Sequence, residues 1–315
     1  MNEDPELLIN DQWIVSRRGN KNPVDLQRPY GWLVEKERTI SGKIEDTGII
    51  FLTNRECPFH CLMCDLWKNT TDESVAIGSI PNQIEWALEQ MPAVKHLKLY
   101  NNGSFFDGRA VPEEDYKSIA SLVKDFETVI VESHPRLINE KCLNFRNMLK
   151  PDLHVAIGLE TVHPWILLKL NKQMTLDDFS NSVSYLTKNG ISSRAFILLR
   201  PPLLSESEGI FWAERSIDFA FSAGIECCII IPVRAGNGAM DELMEKGYFS
   251  LPDIQSLETV LEYGIGLKAG RVFADVWDLA QFSSCKKCID KRTDRLVSMN
   301  LNQIILKPVE YTCNH

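Results

Sequence analysis

Short apolar runs rich in β-branched residues recur along most of the chain, and they constrain its fold more than any other feature. Continuous runs of this kind are typical of strands that are buried on both faces, as in a parallel sheet. Six of them follow one another, at Ile49–Leu52, Leu97–Tyr100, Val129–Val131, Val155–Leu159, Ala195–Leu199 and Cys227–Ile231.

Amphipathic helical patterns separate these runs, at Pro81–Gln90, Pro112–Phe126, Thr175–Lys188, Ile210–Phe221 and Ile254–Leu267. The segment Thr175-Leu176-Asp177-Asp178 is a capping-box pattern that begins a helix, and Asn189-Gly190 is typical of a helix end. Strands that alternate with helices predict an α/β fold with a parallel sheet. The alternation alone permits either a partial (β/α) barrel or an open, doubly wound sheet.

The pattern also divides the chain. Residues 1–46 are polar and predict a short N-terminal lead-in, residues 47–267 carry the alternation and predict the core, and residues 268–315 form a cysteine-bearing C-terminal extension. The core is long enough to bury a large apolar interior.

Composition excludes several classes of protein. The chain has 315 residues, of which 44% are hydrophobic and 24% charged, as in ordinary globular proteins. No apolar run reaches the ~18 residues of a membrane span, so no membrane partner is expected. The acidic start of the chain lacks the basic-then-apolar order of a signal peptide, which predicts a cytoplasmic protein. A net charge of −9 means that nucleic-acid binding would need a local basic patch or a partner.

Three cysteines, Cys57, Cys61 and Cys64, are spaced C-x3-C-x2-C directly after the first predicted strand. Sites of α/β proteins are built on loops at the carboxyl ends of strands. Three thiolates within one loop can hold a [4Fe–4S] cluster and leave one iron open to the amine and carboxylate of a small molecule. The alternative is a structural zinc knuckle, which fits less well because zinc prefers separated cysteine pairs and a fourth ligand.

Further motifs follow this one in order, at Asn101–Asp107, Val131–Pro135, Gly158–Thr161, Leu170–Lys172 and Leu199–Pro202. Together with the cysteines they resemble the radical SAM superfamily, in the branch of the Elongator catalytic subunit and most closely the radical SAM subunit of archaeosine synthase. The resemblance implies a partial (β/α)6 TIM-like barrel with the cluster at its mouth. It also implies S-adenosylmethionine (SAM) as a cofactor and an external one-electron donor, flavodoxin-like or ferredoxin-like.

The resemblance implies roles for further residues. SAM binding falls to Asn101, Asn102, Gly103, Ser104, Glu160 and Arg200. Asn101 to Ser104 would meet its amino and carboxyl groups, Glu160 its amine or ribose, and Arg200 its carboxylate. Catalytic roles are expected for Glu132 and His134, which would face the same mouth. The alternative for Glu132 and Arg200 is a solvated ion pair.

A second cysteine group near the end of the chain consists of Cys285, Cys288 and Cys313, with His315 as a weaker candidate. Cysteines in this spacing are typical of zinc sites, and they equally suit an auxiliary Fe–S cluster or no metal at all. Basic residues between them are candidates for phosphate contacts or for a solvated face, namely Lys286, Lys287, Lys291, Arg292 and Arg295.

The expected activity is reductive cleavage of SAM to methionine and a 5′-deoxyadenosyl radical, which removes hydrogen from a substrate. The resemblance favours a modified nucleobase of tRNA as that substrate. Two alternatives stay open: an enzyme of small-molecule metabolism, which the acidic charge mildly favours, and a noncatalytic metal-binding adaptor.

Overall fold

The computed structural model describes residues 8–310, and one curled sheet of eight strands organises them. The strands are β1 (Gly31–Arg38), β2 (Ile44–Phe51), β3 (His96–Tyr100), β4 (Thr128–Ser133), β5 (Asp152–Glu160), β6 (Ser192–Leu199), β7 (Cys227–Pro232) and β8 (Arg271–Ala274). β1 pairs with β2 in antiparallel register, and β2 to β8 are parallel. The strand order follows the chain without a reversal. A doubly wound sheet requires such a reversal, so the partial barrel is confirmed and the open alternative is excluded.

Helices connect and flank the strands of the sheet. They are α1 (Asp11–Ser16), α2 (Ser79–Leu88), α3 (Tyr116–Leu122), α4 (Glu140–Met148), α5 (Pro164–Lys169), α6 (Leu176–Lys188), α7 (Glu206–Ala223), α8 (Ala239–Glu245), α9 (Ile254–Leu267) and α10 (Ile289–Asn302). The capping box predicted at Thr175 is present and begins α6. Within residues 8–310, no helix has both the length and the apolar character needed to cross a membrane.

β1 is a strand that the apolar runs did not predict. Its second half is charged, because Glu35 and Glu37 point to the interior and meet Lys98 and Arg194 there. The Nζ atom of Lys98 lies 2.6 Å from Glu35, and Arg194 lies 2.7 Å from Glu37.

The structure does not test the boundaries proposed for the lead-in, the core and the extension, so these boundaries stay a prediction.

Strand side chains alternate between two environments. Outward-pointing residues such as Leu97, Val129 and Ile157 are fully buried against the helices and form the main core. Inward-pointing residues border a cavity of about 750 Å³, whose wall carries the aromatic side chains of Phe51, Tyr100, Phe196, Phe273 and Trp277. Lys98, Glu37 and Arg194 close its lower end, and α10 covers the gap between β1 and β8.

Candidate active site at the mouth of the barrel

The cysteine loop follows β2, at the carboxyl edge of the sheet. Two distant segments hold its backbone. Leu62 donates its N–H to the carbonyl of Leu170 (2.9 Å), and the Asn171 amide donates to the carbonyl of His60 (2.8 Å). The Nδ2 atom of Asn237, after β7, donates to the carbonyls of Leu62 (2.8 Å) and Cys64 (3.1 Å). These hydrogen bonds of Asn237 were not predicted from the sequence, because its partners lie far away in the chain.

The thiols of Cys57, Cys61 and Cys64 lie along this loop, and their sulfur atoms do not converge on a single point. Their sulfur atoms do not all lie within 4.8 Å of one another. A single tetrahedral zinc would hold its sulfurs about 3.8 Å apart, since each Zn–S bond is about 2.3 Å. Burial raises the pKa of each thiol to about 12. Metal binding therefore has to displace protons here. The preference for a polynuclear cluster over the zinc knuckle stays a prediction.

A buried ion pair lies beside the cysteines. Lys172 Nζ is 2.6 Å from Glu160 Oε1, and both side chains are only 8% exposed. A Cβ at Gly158 would clash with Oε1 and Nζ of this pair, so any side chain at this position would have to displace them. The positive charge of Lys172 lowers the pKa of the Cys61 thiol, against the larger effect of burial. It would equally stabilise an anionic cluster. The motif that contains Lys172 was noticed in the sequence, but its pairing with Glu160 was not predicted.

The segment predicted to bind SAM packs against the cysteine loop. A Cβ at Gly103 would meet the Cβ of Cys57 at 3.2 Å, so glycine permits this close approach. The Asn101 side chain is fully buried, yet neither its Nδ2 nor its Oδ1 has a hydrogen-bond partner among the described residues. Thr53 Oγ1 and Asn54 Oδ1, just after β2, are also buried and have no hydrogen-bond partner among the described residues. Buried polar atoms normally find partners, so these atoms fit a ligand with amino and carboxyl groups.

Glu132, next to the last residue of β4, holds the backbone of that segment. Its Oε1 accepts the N–H of Asn101 at 2.8 Å, and the carboxyl also accepts from Asn102 and Gly103. Burial raises the pKa of Glu132 to about 7, against the opposing effect of these hydrogen bonds. Glu132 does not pair with Arg200, so the alternative of an ion pair between them is not what the structure contains. Its catalytic role stays a prediction.

His134 connects the cysteine loop to the Lys172 segment. Its ring stacks on Phe59 with centroids 3.7 Å apart, and its Nε2 lies 2.9 Å from the carbonyl of Lys172. Its Nδ1 accepts the N–H of Arg136 at 3.2 Å, so the neutral ring carries its proton on Nε2. Burial lowers the pKa of His134 to about 3. Both nitrogens are occupied, which favours a positioning role, while the predicted catalytic role is untested.

Arg200 follows β6 with a left-handed backbone, φ 54°. Its guanidinium pairs with Glu206 of α7 and donates to the carbonyl of Leu251 at 2.7 Å. Its Nε is buried and has no partner among residues 8–310. The structure thus places Arg200 at the expected strand end and assigns its NH1 to protein partners. The predicted contact with the SAM carboxylate stays a prediction.

In the C-terminal extension, Cys285 and Cys288 are buried just before α10. Cys313 and His315 lie outside the described residues, so the second metal site is untested. Two of the basic residues considered for phosphate contacts are not surface groups. Arg292 lies 2.6 Å from Glu258 and Arg295 lies 2.6 Å from Glu262, and both arginines are buried. These contacts attach α10 to α9, while Lys286, Lys287 and Lys291 are exposed.

Comparison with known proteins identifies several that are similar to this chain in sequence. No family model matches the chain. Archaeosine synthase subunit beta of Thermococcus kodakarensis is 27% identical over 166 residues, which cover 50% of this chain and 51% of that protein. The protein of the same name from Methanosarcina acetivorans is 26% identical over 273 residues, covering 77% and 74%. Across its curated relatives, the chain spans between 51% and 74% of their length.

Among solved structures, Elp3 of Methanocaldococcus infernus without its first 46 residues superposes with a TM-score of 0.52 at 14% identity. The match covers 71% of this chain and 59% of that one, and it shows a shared fold. The relatives and the fold support the expected enzyme class. The resemblance carried by the sequence motifs is thus confirmed, since the chain is similar in sequence to archaeosine synthase subunit beta and shares its fold with Elp3.

Proposed function

We propose that the chain is a radical SAM enzyme that holds a [4Fe–4S] cluster on Cys57, Cys61 and Cys64. The observation that carries this proposal is the buried, unpartnered amide of Asn101, in the segment whose Gly103 packs against the cysteine loop. A polar ligand next to this amide would offset the cost of leaving it without a hydrogen bond. SAM supplies the required amino and carboxyl groups. When bound, the cluster supplies the electron that cleaves SAM to methionine and a 5′-deoxyadenosyl radical.

Residues of the chain would bind and orient SAM, place charges next to the thiols and exclude water. Glu132 orients the backbone of Asn101 to Gly103, and Gly103 lets that backbone lie against the loop. Lys172 and Glu160 supply a fixed positive and a fixed negative charge next to the thiols. Arg200 would reach the SAM carboxylate through its buried Nε. The aromatic wall of the cavity keeps water from the reacting atoms.

The substrate we propose is a modified nucleobase of tRNA. Support comes from the aromatic cavity of about 750 Å³, which is large enough for one flipped-out heterocycle and lined by rings on which it can stack. Relatives named archaeosine synthase subunit beta point the same way, and their name implies a partner subunit. A partner would also supply the phosphate-binding surface that a chain of net charge −9 lacks on average.

The substrate is tested by comparing tRNA nucleosides and small metabolites between a deletion strain and one complemented with the wild-type chain. We expect a modified nucleoside to disappear or a precursor to accumulate. If the nucleosides are unchanged and a small metabolite changes, an enzyme of small-molecule metabolism is favoured. If the Cys61→Ala chain restores the wild-type profile of the deletion strain, the noncatalytic adaptor is favoured.

Replacement of Asn101 tests the cofactor site. Asn101→Ala removes both unpartnered polar atoms, and we expect SAM to bind about 10–100-fold more weakly, the effect of losing hydrogen bonds worth about 1.5–3 kcal/mol. Equilibrium binding of SAM to the reconstituted protein measures this, with iron content expected to be unchanged. Asn82→Ala, on the exposed side of α2, is the matched control. Wild-type SAM affinity in Asn101→Ala would contradict the proposed site.

We also propose that Cys285, Cys288 and Cys313 bind zinc or an auxiliary Fe–S cluster. A metal there would order a short segment that has little apolar core of its own. Replacing all three with serine is expected to remove that metal, to leave the first cluster and SAM binding intact, and to lower substrate-dependent turnover. Metal analysis of the triple variant beside the wild type measures this, and unchanged metal content would show that the three thiols bind none.

A further inference from the structure

A second, smaller cavity opens at the opposite end of the barrel from the cysteine loop. Its volume is about 160 Å³, and it lies at the amino ends of β2 to β5. Glu37 and Arg194 border both cavities and separate this one from the larger cavity above. None of the residues proposed for the radical SAM site line it. It therefore has a chemistry of its own.

Three potential ligands converge in this lower cavity. Glu45 comes from β2, His96 begins β3, and Glu127 immediately precedes β4. One ligand atom from each lies within 4.8 Å of the other two, and His96 Nε2 is 3.0 Å from Glu45 Oε2. An imidazole and two carboxylates at this separation are a donor set that divalent transition metals accept.

Lys95 is the present counterion of the two carboxylates. Its Nζ lies 2.7 Å from Glu45 and 3.4 Å from Glu127, while its side chain is 55% exposed. Exposed ion pairs of this kind contribute little stability, so a bound cation would displace the ammonium into water at low cost. The carboxylates belong to strand ends that the sheet holds fixed, and they would stay in place.

A separate observation also points to a ligand. His154 of β5 is only 5% exposed and borders the same cavity, and its Nδ1 has no hydrogen-bond partner within the described part of the chain. Arg194 and Arg271, the cations nearest to it, engage Glu37 and Glu226 instead. A buried imidazole nitrogen without a partner is costly, and a metal ion or a water bound to one would supply the missing partner.

We propose that this lower cavity is a zinc-type site, with His96, Glu45 and Glu127 as ligands and His154 facing the ion from β5. The ion would connect the amino ends of three neighbouring strands. It would stabilise the base of the barrel, independently of the cluster at the mouth.

The test is zinc binding by the reconstituted full-length protein, compared with Glu127→Gln and His96→Gln. Glu127 is exposed, so Glu127→Gln leaves folding unaffected, and Glu85→Gln on α2 is a matched control. We expect wild type and Glu85→Gln to retain one zinc more than either ligand variant after equilibrium dialysis, and zinc affinity in Glu127→Gln to fall at least about tenfold. His154→Gln should weaken zinc binding severalfold.

X-ray absorption at the zinc edge separates this site from any cysteine site. The additional zinc should show only nitrogen and oxygen neighbours, and iron content and SAM cleavage should be the same in Glu127→Gln as in the wild type. Equal zinc content in all the proteins, or sulfur neighbours around all of the zinc, would overturn the proposal. A protein that lacks the cluster yet still binds this zinc would refute the radical SAM proposal alone.

Discussion

Replacing any one of Cys57, Cys61 and Cys64 with alanine is expected to abolish the cluster. Two thiolates cannot hold a cubane that three hold with one iron open, so iron and sulfide should fall from about four each at this site to near zero. Anaerobic reconstitution followed by iron and sulfide analysis and by Mössbauer spectroscopy measures the loss. SAM cleavage should disappear with it.

Cys142→Ala is the matched control for these variants. Cys142 is a buried thiol in α4 that packs in the main core, away from the mouth, so its replacement should leave the cluster intact. Stable zinc in the loop of the wild-type protein, with no iron uptake under reducing conditions, would refute the cluster assignment.

The second large effect concerns the buried pair of Lys172 and Glu160. Lys172→Met leaves the Glu160 carboxylate buried without its partner, and loss of one member of such a pair costs about 3–5 kcal/mol. We expect the free energy of unfolding to fall by that amount in urea titrations of the apoprotein under reducing conditions. Lys117→Met, at an exposed position of α3, is the control and should change stability little.

A double variant distinguishes charge pairing from a simple loss of packing. When Glu160→Gln accompanies Lys172→Met, no unpaired charge remains, so the double variant should be more stable than Lys172→Met alone. If the losses in free energy of unfolding for Lys172→Met alone and Glu160→Gln alone add up to the loss in the double variant, the two side chains act independently.

The sequence predicted the fold well where apolar burial determines it. The six β-branched runs became β2 to β7, because strands covered on both faces need continuous apolar residues. β1 could not be found in this way. Glu35 and Glu37 are stabilised inside the barrel by Lys98, Arg194 and Arg271, which come from β3, β6 and β8. No local sequence pattern predicts partners so far away in the chain.

In the candidate site too, local sequence patterns predict some features, and contacts between distant residues determine the others. The three cysteines were predictable because their ligand spacing is local, and the motifs placed Asn101 and Glu160 at strand ends. The pairing of Glu160 with Lys172, the stacking of His134 on Phe59 and the hydrogen bonds of Asn237 depend on the folded backbone. Spacing identifies a ligand, whereas only the structure shows what holds it in place.

The contacts that hold the cysteine loop also set the order in which the protein matures. Asn171 and Asn237 lie 111 and 175 residues from their partners in the loop, at His60 and Leu62. Contacts of such sequence separation form late, after most of the chain has folded. During synthesis the loop leaves the ribosome long before Asn237 does. We therefore expect the proposed cluster to be inserted after synthesis has passed Asn237, when the barrel is nearly complete.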